Sequence, residues 1–264
     1  MMRTTTQYFF FLFLFFAHLG NVLAQPKQQR KESISDTEKL PFKNEIYMGL
    51  GLHTRGWNIS LHYGFIKTRM RTMQFIAEFG QINHPKQKIE RYNASSIFSQ
   101  SSRAFVYGKR NTLYTLRLGY GEKRYLSSKE NNRAVSLAWT YGAGISLGLV
   151  RPYYLDLIYR NAGGVPTLRA EKYGPDNWNR FLDIEQVDGP SGGEYGWDEA
   201  ILEPGFFLKT GLLIDWGAFD QVVKGLEIGL TVDTYFSKIP LLVFEESTPV
   251  FVNLYVHVYL GTRW

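Results

Sequence analysis

The sequence predicts an all-β fold, a transmembrane antiparallel up-and-down β-barrel of eight strands with short periplasmic turns and long extracellular loops. Three observations predict it. Eight segments alternate between bulky apolar and small or polar residues, charged residues share the small-residue face, and long connections alternate with short ones. A period of two is that of a strand, because successive side chains point to opposite faces. Charges on the small-residue face indicate that this face lines the interior, since lipid would reject them.

The clearest strand runs from Val135 to Leu149. Bulky apolar residues occupy every second position, and small or polar residues occupy the positions between. This length is unusual in a soluble sheet and ordinary for a tilted membrane strand. The other seven alternating segments begin at Ile46, Trp57, Met73, Tyr114, Phe206, Leu226 and Val252.

The predicted interior is polar and crowded. Its charged residues are expected to compensate one another, with Lys209 contacting Asp233 or Glu227, and Asp215 near Glu227, across the turn after Trp216. Eight strands enclose a space that side chains fill, so no aqueous channel is expected. Ten strands, using part of segment 150–204, are the alternative and would restore a narrow channel. The predicted interior residues are Tyr47, Glu78, Arg117, Phe207, Lys209, Asp215, Glu227, Asp233, Tyr235 and Tyr255.

The connections fall into two classes. Segments 65–70, 122–132 and 217–224 are compact, whereas 83–110 and 150–204 are long. Short turns on one side and long loops on the other are typical of outer-membrane barrels, whose turns are periplasmic. With both termini periplasmic, an aromatic girdle is expected at that edge, formed by Phe65, Tyr120, Trp216 and Trp264. A basic rim is expected there too, with Lys67, Arg69, Arg71, Lys123, Arg124 and Lys129.

The first residues predict export. Arg3, the apolar run 8–16 and the small residues up to Ala24 have the order of a secretory signal peptide, 1–24. A retained signal anchor is the alternative. Residues 25–43 are polar and predict a disordered periplasmic arm, which leaves 44–264 for the barrel. The absence of Cys excludes disulfides and a lipid anchor on Cys. Export and a weak positive charge argue against nucleic acid as a partner.

The sequence offers one weak catalytic constellation. Ser60 and His62 share a face, and Glu78 lies on the same face of the next strand. Residues two apart on a strand are separated by about 7 Å, beyond direct contact. We therefore interpret His62 and His257 as polar filling of the interior. No catalytic residue, cofactor or metal site is predicted, since no ligand spacing or phosphate-binding loop occurs.

The last strand predicts how the barrel enters the membrane. An aromatic final residue with apolar residues at alternate positions before it is the signal that the barrel-assembly machinery reads in its clients. The predicted insertion signal is Val256, Val258, Leu260 and Trp264.

The order of several short motifs along the barrel is similar to that of a family of small outer-membrane β-barrels from Bacteroidota. The motifs are Tyr107–Asn111, Gly119–Gly121, Arg151–Leu155, Glu203–Gly205, Leu226–Gly229, Ile239–Leu241 and Gly261–Trp264. The resemblance implies the fold and an outer-membrane location, and it brings no catalytic residues. Some small barrels of this phylum resemble accessory subunits of larger machines, including the β-barrel assembly machinery, which suggests the same role here.

These observations together predict a non-enzymatic integral protein of the outer membrane of a Gram-negative bacterium, an accessory subunit of an assembly or secretion complex. Its expected partners are outer-membrane lipids, the barrel-assembly machinery and other outer-membrane proteins. Exposed loop aromatics are enriched at interfaces, so the candidate interaction residues are Tyr153, Tyr154, Trp178, Phe181, Tyr195 and Trp197. Three alternatives stay open: the long loop caps its own barrel, the barrel is a narrow pore, or it modifies lipids.

Overall fold

A computed structural model describes residues 42–91, 103–126, 135–161, 164–216 and 221–264. The predicted signal peptide, arm residues 25–41 and Lys129 lie outside the described residues. Lys43, the last residue of the predicted arm, is held by the barrel. Its backbone N–H donates to the carbonyl of Trp264 at 2.8 Å, and its carbonyl accepts from the N–H of Ile66 at 2.9 Å.

Eight long antiparallel strands close into a barrel. Each pairs with the next barrel strand in sequence, and the first pairs with the last, so the predicted eight-stranded up-and-down barrel is confirmed. The barrel strands are β1 (Asn44–His53), β2 (Gly56–Thr68), β3 (Arg71–Ile82), β6 (Asn111–Tyr125), β7 (Ser136–Pro152), β11 (Ile201–Asp215), β12 (Val222–Ile239) and β13 (Thr248–Arg263). The short strands are β4 (Ile89–Glu90), β5 (Phe105–Val106), β8 (Tyr154–Arg160), β9 (Pro166–Lys172) and β10 (Val187–Pro190).

The outer wall of the barrel is apolar. On β1, alternate side chains point outward, and Leu50 and Leu52 are 67% and 72% exposed. The predicted insertion signal on β13 lies on the same outer surface, with Val258 and Leu260 exposed. A continuous apolar wall of this kind is far larger than the patches that soluble proteins expose, and it suits contact with lipid. None of the helices in the described part of the chain is long and apolar enough to cross a membrane.

Aromatic rings on the outer wall form two bands. At the end that holds the termini, ring contacts connect Trp264 to Tyr63, Tyr63 to Phe65, Phe65 to Phe75 and Phe75 to Tyr120, with centroids 5.0–6.2 Å apart. Trp216 is half-exposed at the same end, so all four predicted girdle residues lie on the outer face. At the opposite end a second band connects Trp57, Phe79, Tyr114 and Trp197. Aromatic girdles at both interfaces are a feature of membrane barrels.

The connections follow the predicted asymmetry. The start of β1 and the end of β13 share one end of the barrel with the ends of β2, β6 and β11. The long connections β3–β6 and β7–β11 lie at the other end, together with β12–β13 and the tight turn after His53. The first long connection has the predicted bounds, 83–110, whereas the second is shorter than predicted because Val150 and Pro204 belong to barrel strands.

The second long connection folds into a small sheet of its own, in the order β10-β8-β9, which we call the loop sheet. It carries a short helix, α1 (Trp178–Phe181), and a 3₁₀ turn, Ile184–Gln186. Since β8 and β9 pair outside the barrel, the ten-strand alternative is wrong. A connection of this length inside a compact domain needs such internal structure. Its apolar core consists of Phe105, Leu155, Leu157, Phe181 and Val187.

Arg103, from the first long connection, joins that connection to the loop sheet. Its Nη2 donates to Asp156 Oδ2 at 2.8 Å and to Asp188 Oδ2 at 2.7 Å, and its Nη1 donates to the carbonyl of Pro190 at 3.1 Å. These hydrogen bonds to the carboxylates of Asp188 and Asp156 raise the pKa of the Arg103 guanidinium. Arg103 therefore ties the described end of the first long connection to the loop sheet.

Candidate functional site

Buried apolar side chains fill the lumen at both ends. The lower plug, near the termini, consists of Tyr47, Tyr125, Ala138, Leu213, Val223 and Tyr259, all at most 8% exposed. The upper plug, below the long connections, consists of Ile82, Leu113, Val150, Tyr235, Ile239, Leu241 and Phe251, all at most 6% exposed. Interiors of eight-stranded barrels are narrow enough for side chains to fill. The lumen is therefore closed by packed side chains.

Glycines on β6 and β7 make room for these bulky side chains. A Cβ on Gly119 would lie 2.6 Å from the ring of Phe207, and one on Gly148 would lie 2.8 Å from the ring of Tyr235. A Cβ on Gly144 would lie 2.2 Å from the carbonyl oxygen of Leu118 on the neighbouring strand. The inner face of β6 and β7 therefore carries small residues where β11 and β12 direct the large rings of Phe207 and Tyr235 into the lumen.

An ion cluster occupies the middle of the lumen. Arg117 donates to both carboxylate oxygens of Asp233, from Nε at 2.6 Å and from Nη2 at 2.8 Å, and its Nη1 donates to Glu78 at 3.1 Å. Lys209 donates to the other oxygen of Glu78. Bidentate, charge-assisted pairs of this kind are among the strong hydrogen bonds of proteins. The predicted inward direction and mutual compensation of these charges are confirmed.

The prediction that Lys209 contacts Asp233 or Glu227 is wrong. In the register Lys209 lies opposite Thr231 and Phe207 lies opposite Asp233, two residues away from the expected pairing. Lys209 instead reaches Glu78 on β3, which is three strands away around the barrel. In a narrow lumen, contacts across the interior compete with contacts between neighbouring strands, and neither the turn length nor parity decides between them.

A second ion cluster lies at the terminal end. Glu45 accepts hydrogen bonds from Lys123 and from Arg263 Nε, the latter at 3.0 Å. Asp215 accepts from Arg263 Nη2 and from the hydroxyl of Tyr125, both at 2.8 Å. Asp215 was expected near Glu227, a prediction that shares the same two-residue error. Glu227 instead accepts from Tyr255 and, at 3.1 Å, from Thr140.

The prediction that Lys123 belongs to the basic rim is also wrong. Lys123 is fully buried and points inward, whereas Arg124 next to it is half-exposed and pairs with Glu122. The parity of β6 carries the signal that was missed, because Lys123 is in phase with Arg117. Glu45 and Arg263 were missed because each lies at the very end of its alternating segment.

The candidate triad residues do not form a triad. All three are buried in the lumen, but Ser60 Oγ and both ring nitrogens of His62 have no hydrogen-bond partner among the described residues. Glu78 is engaged by Arg117 and Lys209. The ring of His62 stacks on Tyr47, with centroids 4.6 Å apart. Within the described ranges, no three His, Asp or Glu side chains are grouped as metal ligands would be.

The six loop aromatics have different environments. Phe181 is fully buried in the core of the loop sheet, and Tyr153 is half-buried, with its hydroxyl accepting from the N–H of Val106 at 3.4 Å. Trp197 stacks on Tyr114 of the outer wall at 5.6 Å and belongs to the upper aromatic band. Tyr154 packs against Tyr195, which is 41% exposed, and Trp178 is 52% exposed. Trp178 and Tyr195 are therefore the two aromatics exposed on the loop sheet itself.

Lys109 lies in the first long connection, two residues before β6, and its side chain is buried. Its Nζ is 5.3 Å from the centroid of the Tyr153 ring. Burial, reinforced by the charge of Arg151, lowers the pKa of Lys109 to about 8. The loop region therefore contains a cation whose charged form is disfavoured by its surroundings.

No protein-family model and no curated protein matches the chain. Among solved structures, the chain is similar to the N-terminal β-barrel domain of Pseudomonas aeruginosa OprF, with 8% identity and a TM-score of 0.33. It is also similar to Neisserial surface protein A, with 8% identity and a TM-score of 0.37, and to Ail, the attachment invasion locus protein of Yersinia pestis, with 10% and 0.34. Each match covers 84% of this chain and 97% of the other. These likenesses are weak, and the fold is assigned from the strand topology described above.

Proposed function

We propose that this chain is a non-enzymatic integral protein of the outer membrane of a Gram-negative bacterium that holds other proteins there, as an accessory subunit of an assembly or secretion complex. The membrane location is supported by the apolar outer wall between two aromatic bands. A closed barrel satisfies its backbone hydrogen bonds between strands and leaves no open edge in lipid. Such barrels are characteristic of outer membranes.

The filled lumen supports a role other than transport. Buried side chains of the two plugs and the two ion clusters occupy the interior along its length. Arg117, for example, is 2% exposed and held by two carboxylates from two other strands. A narrow pore would need this packing to be removed. The function therefore resides on the outer surfaces of the molecule.

The observation that carries the proposal is the loop sheet. It has its own apolar core and is joined to the other long connection by Arg103, so it presents a defined surface. Trp178 and Tyr195 are exposed on it, and such aromatic side chains are enriched at the energetic centres of protein interfaces. The sequence resemblance to small barrels of Bacteroidota favours a machine that assembles outer-membrane proteins as the partner.

The test is purification of the complex from cells that produce the protein at its native level. A tag placed directly after Ala24 avoids the C-terminal strand. After extraction in mild detergent, we expect a stoichiometric outer-membrane complex, identified by mass spectrometry. Trp178→Ala should weaken its recovery, since a central interface tryptophan contributes roughly 2 kcal/mol or more.

The matched control is Trp216→Ala. Trp216 is as exposed as Trp178, 51% against 52%, but lies at the opposite end of the barrel. Recovery of the complex should be unchanged in this variant. A monomer in the unmodified protein, or equal recovery with Trp178→Ala and Trp216→Ala, would contradict a partner bound through the loop sheet.

A further inference from the structure

A cavity of about 260 Å³ lies at the mouth of the barrel, on the side of the long connections. It is formed where β6, β7, β11 and β12 end, and the end of β9 forms its remaining wall. Two of its lining residues, Val150 and Ile239, belong to the upper plug, which fills the lumen below it. The mouth cavity is thus a half-open bowl that faces the exterior.

Cations predominate around the mouth cavity. Its lining contains Arg110, Lys172 and Lys238, against the single carboxylate of Glu203. Lys172 already donates to Glu199 at 2.7 Å. Across the described ranges, neither Arg110 nor Lys238 forms an ion pair. The cations of this concave site thus outnumber its carboxylate, and two of them are not ion-paired, which is an electrostatic arrangement that attracts an anion.

The walls of the cavity are held in place before any ligand binds. Asn111 Nδ2 donates to the carbonyl of Pro240 at 2.7 Å, and the N–H of Arg110 donates to the carbonyl of Leu241 at 2.9 Å. These bonds join the start of β6 to the connection after β12. The guanidinium of Arg110 lies 5.9 Å from the centroid of the Tyr173 ring, which also lines the cavity. A fixed site loses little conformational entropy on binding.

We propose that the mouth cavity binds a phosphate monoester. A phosphate monoester carries a charge of about −1.5 to −2 and three acceptor oxygens, which matches the excess of cations. Arg110 suits its oxygens because a guanidinium can bind phosphate with two parallel hydrogen bonds. The volume is below the roughly 300–1,000 Å³ of pockets for drug-sized ligands, so the cavity takes a group of headgroup size.

A phosphate monoester can reach the cavity from two sources. Arg151, which lies between the lining residues Val150 and Pro152, is 4.7 Å from the centroid of the Trp197 ring in the upper aromatic band. One source is therefore a phosphorylated glycolipid of the surrounding leaflet. The other source is a phosphate ester dissolved outside the cell. This site is separate from Trp178, and the proposal does not depend on the partner protein proposed above.

The first experiment measures binding to the purified full chain in nonionic detergent by isothermal titration calorimetry, with glucose 6-phosphate as the probe and glucose as its uncharged counterpart. Glucose 6-phosphate should bind saturably and more weakly at higher salt, and glucose should not bind. The double variant Arg110→Gln/Lys238→Gln should weaken binding about tenfold or more, the effect of losing hydrogen bonds to charged groups.

The control variant Lys67→Gln/Lys224→Gln removes two exposed cations at the opposite end, and it should bind as the unmodified protein does. Circular dichroism confirms that each variant retains its strands. The second arm uses bicelles that contain a phosphorylated glucosamine lipid.

Tighter binding of that lipid than of glucose 6-phosphate, with loss in the Arg110/Lys238 variant, identifies the membrane as the source. Binding of glucose 6-phosphate alone identifies a dissolved ester. Absence of saturable binding for both probes, equal binding of glucose, or equal loss in the control variant overturns the proposal.

Discussion

Arg117 shows how single residues hold the interior together. It lies on β6 and donates to Asp233 on β12 and Glu78 on β3, so it connects three strands through the lumen. Burial of a charge is tolerated only where opposite charges and hydrogen bonds compensate it. Parity in the sequence places Arg117, Glu78 and Asp233 on the inner face. It leaves open which of them pair, because the pairing depends on the register and on the width of the lumen.

Arg117→Met should destabilise the barrel by about 3–5 kcal/mol, because it leaves Asp233 buried without its partner. The measurement is the urea unfolding midpoint in lipid vesicles. Arg124→Met is the control; Arg124 pairs with Glu122 at the rim and is half-exposed, so its loss should cost less than about 1 kcal/mol. Adding Asp233→Asn to Arg117→Met should recover part of the loss, since Glu78 keeps Lys209. Equal midpoints for Arg117→Met and Arg124→Met would show that the central ion cluster does not stabilise the barrel.

Lys109 makes the stability of the folded protein depend on pH. Unlike Arg117, it is a buried cation without a carboxylate beside it, so its charge is unfavourable. Its pKa in the folded protein, about 8, lies below the ordinary 10.5. Below pH 8 both folded and unfolded states are protonated, and the folded state bears the unfavourable buried charge. Between pH 8 and 10.5 the folded state loses the proton first, so stability rises through this window.

Lys109→Met should therefore be more stable than the unmodified protein at pH 7, by up to roughly 3 kcal/mol, and this advantage should shrink as the pH approaches 10. Urea midpoints of the two proteins, compared at each pH, measure the difference. Lys86→Met removes an exposed lysine paired with Glu245. Its urea midpoint should differ from that of the unmodified protein by the same amount at every pH from 7 to 10. An advantage of Lys109→Met that stays constant from pH 7 to 10 would exclude a titration of Lys109.

Among the structural elements, the barrel strands were predictable from sequence and the loop sheet was not. Each barrel strand has ten or more residues and carries its own alternating pattern, which lipid on one side and a crowded lumen on the other impose. The strands of the loop sheet have four to seven residues, too few for a clear period. Leu155 and Leu157 alternate visibly in β8, but their partner Phe105 comes from the other long connection. Such pairing leaves no local signal.

The close contact of β6 with β7 gives a prediction for a single element. Gly144→Val should prevent normal closure of the barrel, because even a Cβ at this position would lie 2.2 Å from the carbonyl oxygen of Leu118, which cannot move without breaking the strand pairing. Ala143→Val changes the adjacent residue, which faces outward, and should insert normally. The fraction of protein that resists protease digestion in the membrane measures insertion. Equal resistance of the two variants would show that the β6–β7 spacing is adjustable.

For the whole molecule, loop lengths and parity predicted the arrangement of the strands, but its orientation in the cell stays a prediction. The chain lacks Cys, so single cysteines report their position cleanly. Gly193→Cys places a thiol on the second long connection, where a Cβ meets no atom within 4 Å. Thr68→Cys places one at the exposed end of β2.

On intact cells, a membrane-impermeant maleimide should label Gly193→Cys and not Thr68→Cys, because the long connections are expected outside and the turns in the periplasm. After the outer membrane is opened, both should react. Labelling of Thr68→Cys alone on intact cells would reverse the orientation and would place the mouth cavity in the periplasm.

The pairing of β1 with β13 has a consequence for biogenesis. Glu45 and Arg263, whose side chains meet at this junction, are 218 positions apart in the sequence. Until the ribosome has released the last residues, β1 has no hydrogen-bonding partner on one side and Glu45 lacks one of its cations. A nascent or truncated chain therefore has two strand edges whose backbone N–H and C=O groups are unpaired, the feature that drives strands to aggregate. Without β13 the barrel cannot close, because β1 and β12 both lose the strand they pair with, so a chain truncated before β13 is expected to be degraded and not to form a smaller barrel.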